Sequence, residues 1–132
     1  MAADTLPVRF DLTDVYRGDS YRRLFRPWYR AADGSSRILP TTGWTGRMQV
    51  RAERSDTAPI LLEATTANAR LVTGKQDDPV LPYAVGLFLT HEDTAGLPAG
   101  AILHYDLELT DPAGFRMTFY YGELKVLGDV TR

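Results

Sequence analysis

From residue 103 to residue 110 the chain reads Leu-His-Tyr-Asp-Leu-Glu-Leu-Thr, a large apolar side chain at every second position, and this period of two most constrains the fold. An extended strand sends successive side chains to opposite faces, so Leu103, Tyr105, Leu107 and Leu109 share an inward face while His104, Asp106 and Glu108 turn outward. The next four residues, Asp111 to Gly114, read as a type I turn with a bulge. Asp111 accepts backbone hydrogen bonds, Pro112 has its φ already set, and Gly114 takes a positive φ. The returning strand is expected to gather Met117, Phe119 and Tyr121 on one face and Arg116, Thr118 and Tyr120 on the other. A last strand, ELKVLGDV, carries Leu124 and Val126 inward.

The same signal recurs in short runs broken by Gly, Pro and Asp. Val8, Phe10 and Leu12 mark a first strand, and Gly18-Asp19 a turn. In a second strand Leu24 pairs in parity with Trp28, and Phe25 with Tyr29; Pro27 removes a donor and puts this strand at an edge or bulge. Residues 31–43 read as an irregular connection turning at Asp33-Gly34. Trp44, Gly46, Met48, Val50 and Ala52 then face one way, with Thr45, Arg47, Gln49, Arg51 and Glu53 opposite. Residues 60–65 and 69–74 suggest a hairpin joined through 66–68, 75–82 a loop, and YAVGLFL an interior strand covered on both faces. Thr90 and Asp93 resemble a capping box for one helical turn, stopped by Gly96 and Pro98, with Leu97 tucked against the core. These readings predict an all-β, antiparallel β-sandwich with one short helical turn. Residues 1–132 are one domain's worth of chain.

Composition narrows the chemistry. The absence of cysteine excludes disulfides, thiol catalysis and thiolate metal sites. No apolar run approaches the length of a membrane span, and MAADTLPVRF lacks the basic and apolar parts of a signal peptide, so synthesis in the cytosol and no membrane partner are expected. Residues 1–54 hold ten Arg against six acids, and residues 55–132 hold five basic groups against eleven acids, a split that lets the halves, or neighbouring copies, pair.

The two histidines, His91 and His104, have no nucleophile-elbow sequence near any serine, so no catalytic triad is expected. His91-Glu92-Asp93 is a local cluster that a capped, solvent-facing turn explains without a metal. Asp106 and Glu108 invite comparison with a glycosidase pair, but nothing in the sequence supplies the enclosing cleft. No glycine-rich phosphate loop is present, and Arg17-Gly18-Asp19 is explained by a turn. In YRRLFRPWYR, four Arg interleave with four aromatics as on a stacking platform. The acidic net charge and the core's need for those rings weigh against nucleic acid and favour solvated Arg or a protein-facing patch. No catalytic, cofactor-binding or metal residue is expected, and no cofactor or small-molecule substrate.

Three stretches then carry a resemblance: LTDVYRGDSY, DGSSRILPTTGWTGRMQVR, and the long run from YAVGLFLTHEDTAGLPAG through YDLELTDPAG and YGELKV to DVTR. The order resembles a widespread group of small bacteriophage virion proteins, similar to the N-terminal immunoglobulin-like domain of siphophage upper baseplate proteins. The match runs roughly from residue 12 to residue 132. FRMTFYY is more aromatic than that group's pattern, and no receptor-binding or coiled-coil extension is expected with the domain. The resemblance implies an immunoglobulin-like sandwich and a non-enzymatic tail or baseplate subunit. Such a subunit would be assembled in the bacterial cytoplasm into virions, docking onto other virion proteins and copies of itself in a symmetric ring or particle. A carbohydrate-binding or host-attachment module, or a head decoration protein, is the alternative. Candidate interface residues are Tyr16, Arg22, Arg23, Arg26, Tyr29, Arg30, Arg37 and Tyr120.

Overall fold

Strand alternation builds two facing sheets with the apolar parity between them. The structure, a computed structural model, describes residues 7–75 and 84–128. In chain order the elements are β1 (Val8–Arg9), β2 (Leu12–Tyr16), β3 (Tyr21–Phe25), β4 (Trp28–Arg30), β5 (Ser36–Ile38), β6 (Thr45–Arg51), β7 (Ile60–Thr65), β8 (Leu71–Lys75), β9 (Ala84–Leu89), α1 (His91–Ala95), β10 (Ile102–Thr110) and β11 (Arg116–Leu127). A six-stranded sheet runs β1-β11-β10-β6-β7, with β2 following β1 along β11. A three-stranded sheet runs β3-β9-β8, and β4 and β5 form a separate hairpin. This is an all-β sandwich with one helical turn.

The β10–β11 hairpin forms as the sequence predicts. Leu103, Tyr105, Leu107 and Leu109 are buried, each contributing on the order of 1.5–3 kcal/mol of transfer free energy. Asp111 Oδ1 accepts from the N–H groups of Ala113 and Phe115, both at 2.9 Å, and Gly114 takes φ +91°. The capping box on α1 is present on both sides, and Leu97 is buried behind it. β9 lies at the centre of its sheet, buried on both faces at all but Phe88.

Several expectations need correction. The strand returning from the turn and the last strand are one element, β11, and its register against β10 slips between Leu107 and Glu108. One extra residue in a ladder exchanges the two faces beyond it. Tyr120 therefore points into the core and Tyr121 outward, the reverse of the simple alternation. The N-terminal run is not one antiparallel strand: it breaks at Phe10-Asp11 into β1 and β2, both parallel to β11. Gly122 explains the break, because a Cβ there would lie 2.5 Å from the Phe10 carbonyl oxygen, and Asp11 Oδ1 accepts the Glu123 N–H at 2.9 Å. The Tyr105 hydroxyl donates to that same Phe10 carbonyl.

Residues 60–65 and 69–74 do not form a hairpin. β7 pairs with β6 while β8 pairs with β9 in the other sheet, so Thr66–Arg70 cross the sandwich. Asn68 takes the hydrogen bonds a hairpin partner would have taken, to Thr65 N–H and the Glu63 carbonyl. The connection 31–43 contains β5, paired with β4. The strand expected to run through Pro27 stops at Phe25 and restarts as β4. β6 ends at Arg51, leaving Ala52 exposed, and Trp44 is half-buried against the core. Of the expected 75–82 loop, Lys75 belongs to β8 and the rest lies outside the described residues.

Candidate functional site

On β3 the inward parity belongs to Tyr21, Arg23 and Phe25, so two consecutive arginines part ways. Arg22 is exposed, its guanidinium 5.7 Å from the Phe88 ring centre. Arg23 turns in against Phe10, 4.7 Å from the ring, with Nε buried and without a hydrogen-bond partner among the described residues. It is a half-buried cation stacked on an aromatic face, less free for contact than the sequence suggests. Tyr120 is also removed from the interface: it is 7% exposed, its ring centre 5.0 Å from that of Phe25.

Arg26 is exposed. Arg30 donates to the Gly34 carbonyl at 2.9 Å, and Arg37 reaches Asp33 at 3.3 Å, so both are spent on shaping the β4–β5 hairpin. Tyr16 stands 45% exposed at the end of β2, in register with Leu127. Tyr29 is half-buried. The eight residues do not form one patch.

The structure instead leaves apolar surface at both ends of the long hairpin. At the tip, Tyr29, Leu39, Trp44, Leu109, Met117 and Phe119 line a cleft of about 70 Å³, and Phe115, 61% exposed, stands at its lip. At the base, Ile102 is 51% exposed, and the register of β10, β11 and β2 puts Leu127 and Tyr16 nearby. Phe115 follows the turn glycine, outside the strand alternation, which is the sequence signal that it has no inward place. Ile102 and Leu127 carry no such mark.

The outer face of the six-stranded sheet carries a polar groove of about 530 Å³, open to solvent. Its floor follows the cross-strand pairs Glu108 with Arg47, Asp106 with Gln49, and His104 with Arg51. Much of the lining is already engaged. Gln49 Nε2 donates to Glu63 at 2.7 Å, Arg47 lies 3.8 Å from Glu63, and Arg51 donates to Gln49 and to the Ala58 carbonyl. Arg54 covers the Tyr121 ring at 4.7 Å. Partial burial pushes the Asp106 carboxyl above the usual carboxylate range, and the Glu108 charge adds to the rise while Arg51 and Arg47 oppose it. This groove is the nearest approach to the cleft that paired carboxylates would need.

His91 and Glu92 meet at 3.9 Å on the exposed face of α1. Among the described residues no group of three or more His, Asp or Glu could hold a metal ion, and no helix is long and apolar enough to cross a membrane.

No family model matches this chain, and no curated protein does. Among solved structures, extracellular domains 3–5 of Drosophila OTK align over 94% of this chain at 17% identity, with a TM-score of 0.35; the chain spans 37% of that structure's length.

Proposed function

We propose that this chain is a non-enzymatic structural subunit of a bacteriophage virion, a tail or baseplate adaptor that docks onto neighbouring virion proteins and onto copies of itself. The observation that carries the reading is the large apolar side chains in water at both ends of the β10–β11 hairpin, Phe115 beside its cleft at the tip and Ile102 with Leu127 and Tyr16 at the base. A neighbour that fully covers one of these side chains gains on the order of 1.5–3 kcal/mol, and a symmetric assembly repeats that gain at every copy. The motif resemblance supplies the virion setting. The role needs complementarity of shape and no reaction, cofactor, membrane or small-molecule substrate. Arg22 and Arg26 add a polar, cationic margin of the kind found around such contacts.

The test is a side-chain-resolution reconstruction of the purified particle, with a Phe115→Ser variant followed into assembled particles. Neighbouring protein should cover Phe115 or the Ile102 corner, and the variant should incorporate less. Particles without the chain, or a chain with both ends bare in the particle, would sink the reading.

The open polar groove favours a second reading, a saccharide-binding attachment module, because Asp106, Glu108 and Thr118 line it beside arginine donors. The tryptophans do not join it: Trp44 packs edge-on to Phe119 at 6.2 Å, and Trp28 lies in β4 beside Arg30. Glycan binding that Asp106→Asn abolishes, with Phe115→Ser neutral, would select this second reading.

A further inference from the structure

An edge strand exposes half of its backbone. In an antiparallel ladder alternate residues turn N–H and C=O toward the neighbour, and the rest point to open solvent. The Thr66 N–H bonds the Gly46 carbonyl at 3.1 Å, which puts Ala64 and Leu62 in the set bonded to β6 and leaves Thr65 and Glu63 pointing away. On that outward row the Asn68 side chain stands in for a neighbouring strand. Its Oδ1 accepts the Thr65 N–H at 2.9 Å, and its Nδ2 donates to the Glu63 carbonyl at 3.0 Å. The same Oδ1 accepts the Arg70 N–H at 3.0 Å, and the Asn68 N–H returns to Thr65 Oγ1 at 3.0 Å. Arg70 Nη1 gives the Glu63 carbonyl a second donor at 3.4 Å. At the other end of β7 the register slips between Val50 and Arg51, so Leu61 sits in a bulge with no residue opposite.

This edge needs closing. Ile60 and Leu61 are exposed, and within Ile60–Thr65 there is no lysine or proline to discourage pairing. The comparable edge of β8 is covered differently: the Gly74 N–H donates to Thr41 Oγ1 at 2.8 Å, and Thr73 Oγ1 donates to the Trp44 carbonyl at 2.7 Å.

We propose that Asn68 closes the β7 edge against strand addition by a second copy of this chain, so that copies do not extend the six-stranded sheet at β7. The inference stands apart from the virion role and holds whichever partner the apolar ends contact.

Two measurements test it. By amide hydrogen exchange on the parent chain, Thr65 should exchange roughly tenfold or more slowly than Glu63, the next outward-facing amide of the strand. In sedimentation velocity, Asn68→Ala should self-associate about tenfold or more tightly than the parent. Adding Glu63→Pro, which removes an outward N–H, should restore the parent's behaviour. A Thr65 amide exchanging as fast as that of Glu63, or a folded Asn68→Ala protein associating like the parent, overturns the proposal. If Asn68→Ala fails to fold, the exchange comparison on the parent decides alone.

Discussion

Arg70 grips Asp93 with two bonds, Nε to Oδ2 at 3.1 Å and Nη2 to Oδ1 at 2.7 Å, tying the β7–β8 crossover to the first turn of α1. The Asp93 side chain is only 10% exposed and also accepts the Thr90 N–H, so one carboxylate serves as cap and anchor. The Arg70 bond, before the Thr90 amide, holds its carboxyl below the usual carboxylate range, against the opposing effect of burial. A lowered folded-state value stabilises fully above the unfolded value near about 4, and that stability is lost as pH falls through the folded value. Asp93→Asn should cost about 1–2 kcal/mol at neutral pH, discounted because Arg70 is partly exposed, and the gap to the parent should close in acid. Urea melts across the acid range check this; a gap that stays constant would mean the charge is not what matters.

Where the sequence was readable, local chemistry and strand period pointed the same way: Leu103 to Leu109 with the Asp111–Gly114 turn, and Thr90 with Asp93 ahead of the buried Leu97. The misreadings arise where a partner distant in sequence decides. Nothing near Phe119 marks the bulge that turns Tyr120 inward, since it is a property of the pairing with Leu107 and Glu108. The break at Phe10 answers to Gly122. The candidate interface was legible only as composition: an Arg-rich run does not say which arginine of Arg22-Arg23 faces water until Leu87 and Phe88 of β9 fix the register. The apolar ends were hidden because exposure at a hairpin tip or base depends on what lacks a neighbour.

Ala69 takes φ +65°, alone among the described non-glycine residues in being left-handed. That conformation costs an L-residue about 1–2 kcal/mol, and glycine removes the cost while adding freedom to the unfolded chain. Ala69→Gly should therefore raise stability by about 0.5–1 kcal/mol, measured as a shift of the urea midpoint at unchanged slope. A lowered midpoint would mean that the crossover does not hold this turn.

Gly122 has no room for a side chain. A Cβ would lie 2.5 Å from the Phe10 carbonyl oxygen and 2.7 Å from Asp11 Oδ1, and the first of these is backbone that also accepts from Tyr105. Gly122→Ala should cost about 2–3 kcal/mol by pushing the N-terminal segment off β11, with new exchange at the amides of β1 and β2 and little change in the three-stranded sheet. Uniform loss of protection in both sheets would contradict a local role.

Tyr120 separates a core residue from a contact residue. Its ring packs on Phe25 while burial pushes its hydroxyl up to about 12, and no protein partner for that hydroxyl appears among the described residues. Tyr120→Phe should shift stability by no more than about 0.5 kcal/mol, because little bonding is lost with the oxygen. Tyr120→Ala should cost about 3–5 kcal/mol in the isolated chain, the range for emptying a large aromatic from a core. The measurement is denaturation of the chain alone, at a concentration where it does not associate. A Tyr120→Ala protein as stable as the parent but weaker in assembly would return the ring to the surface and undo the bulge that turns it inward.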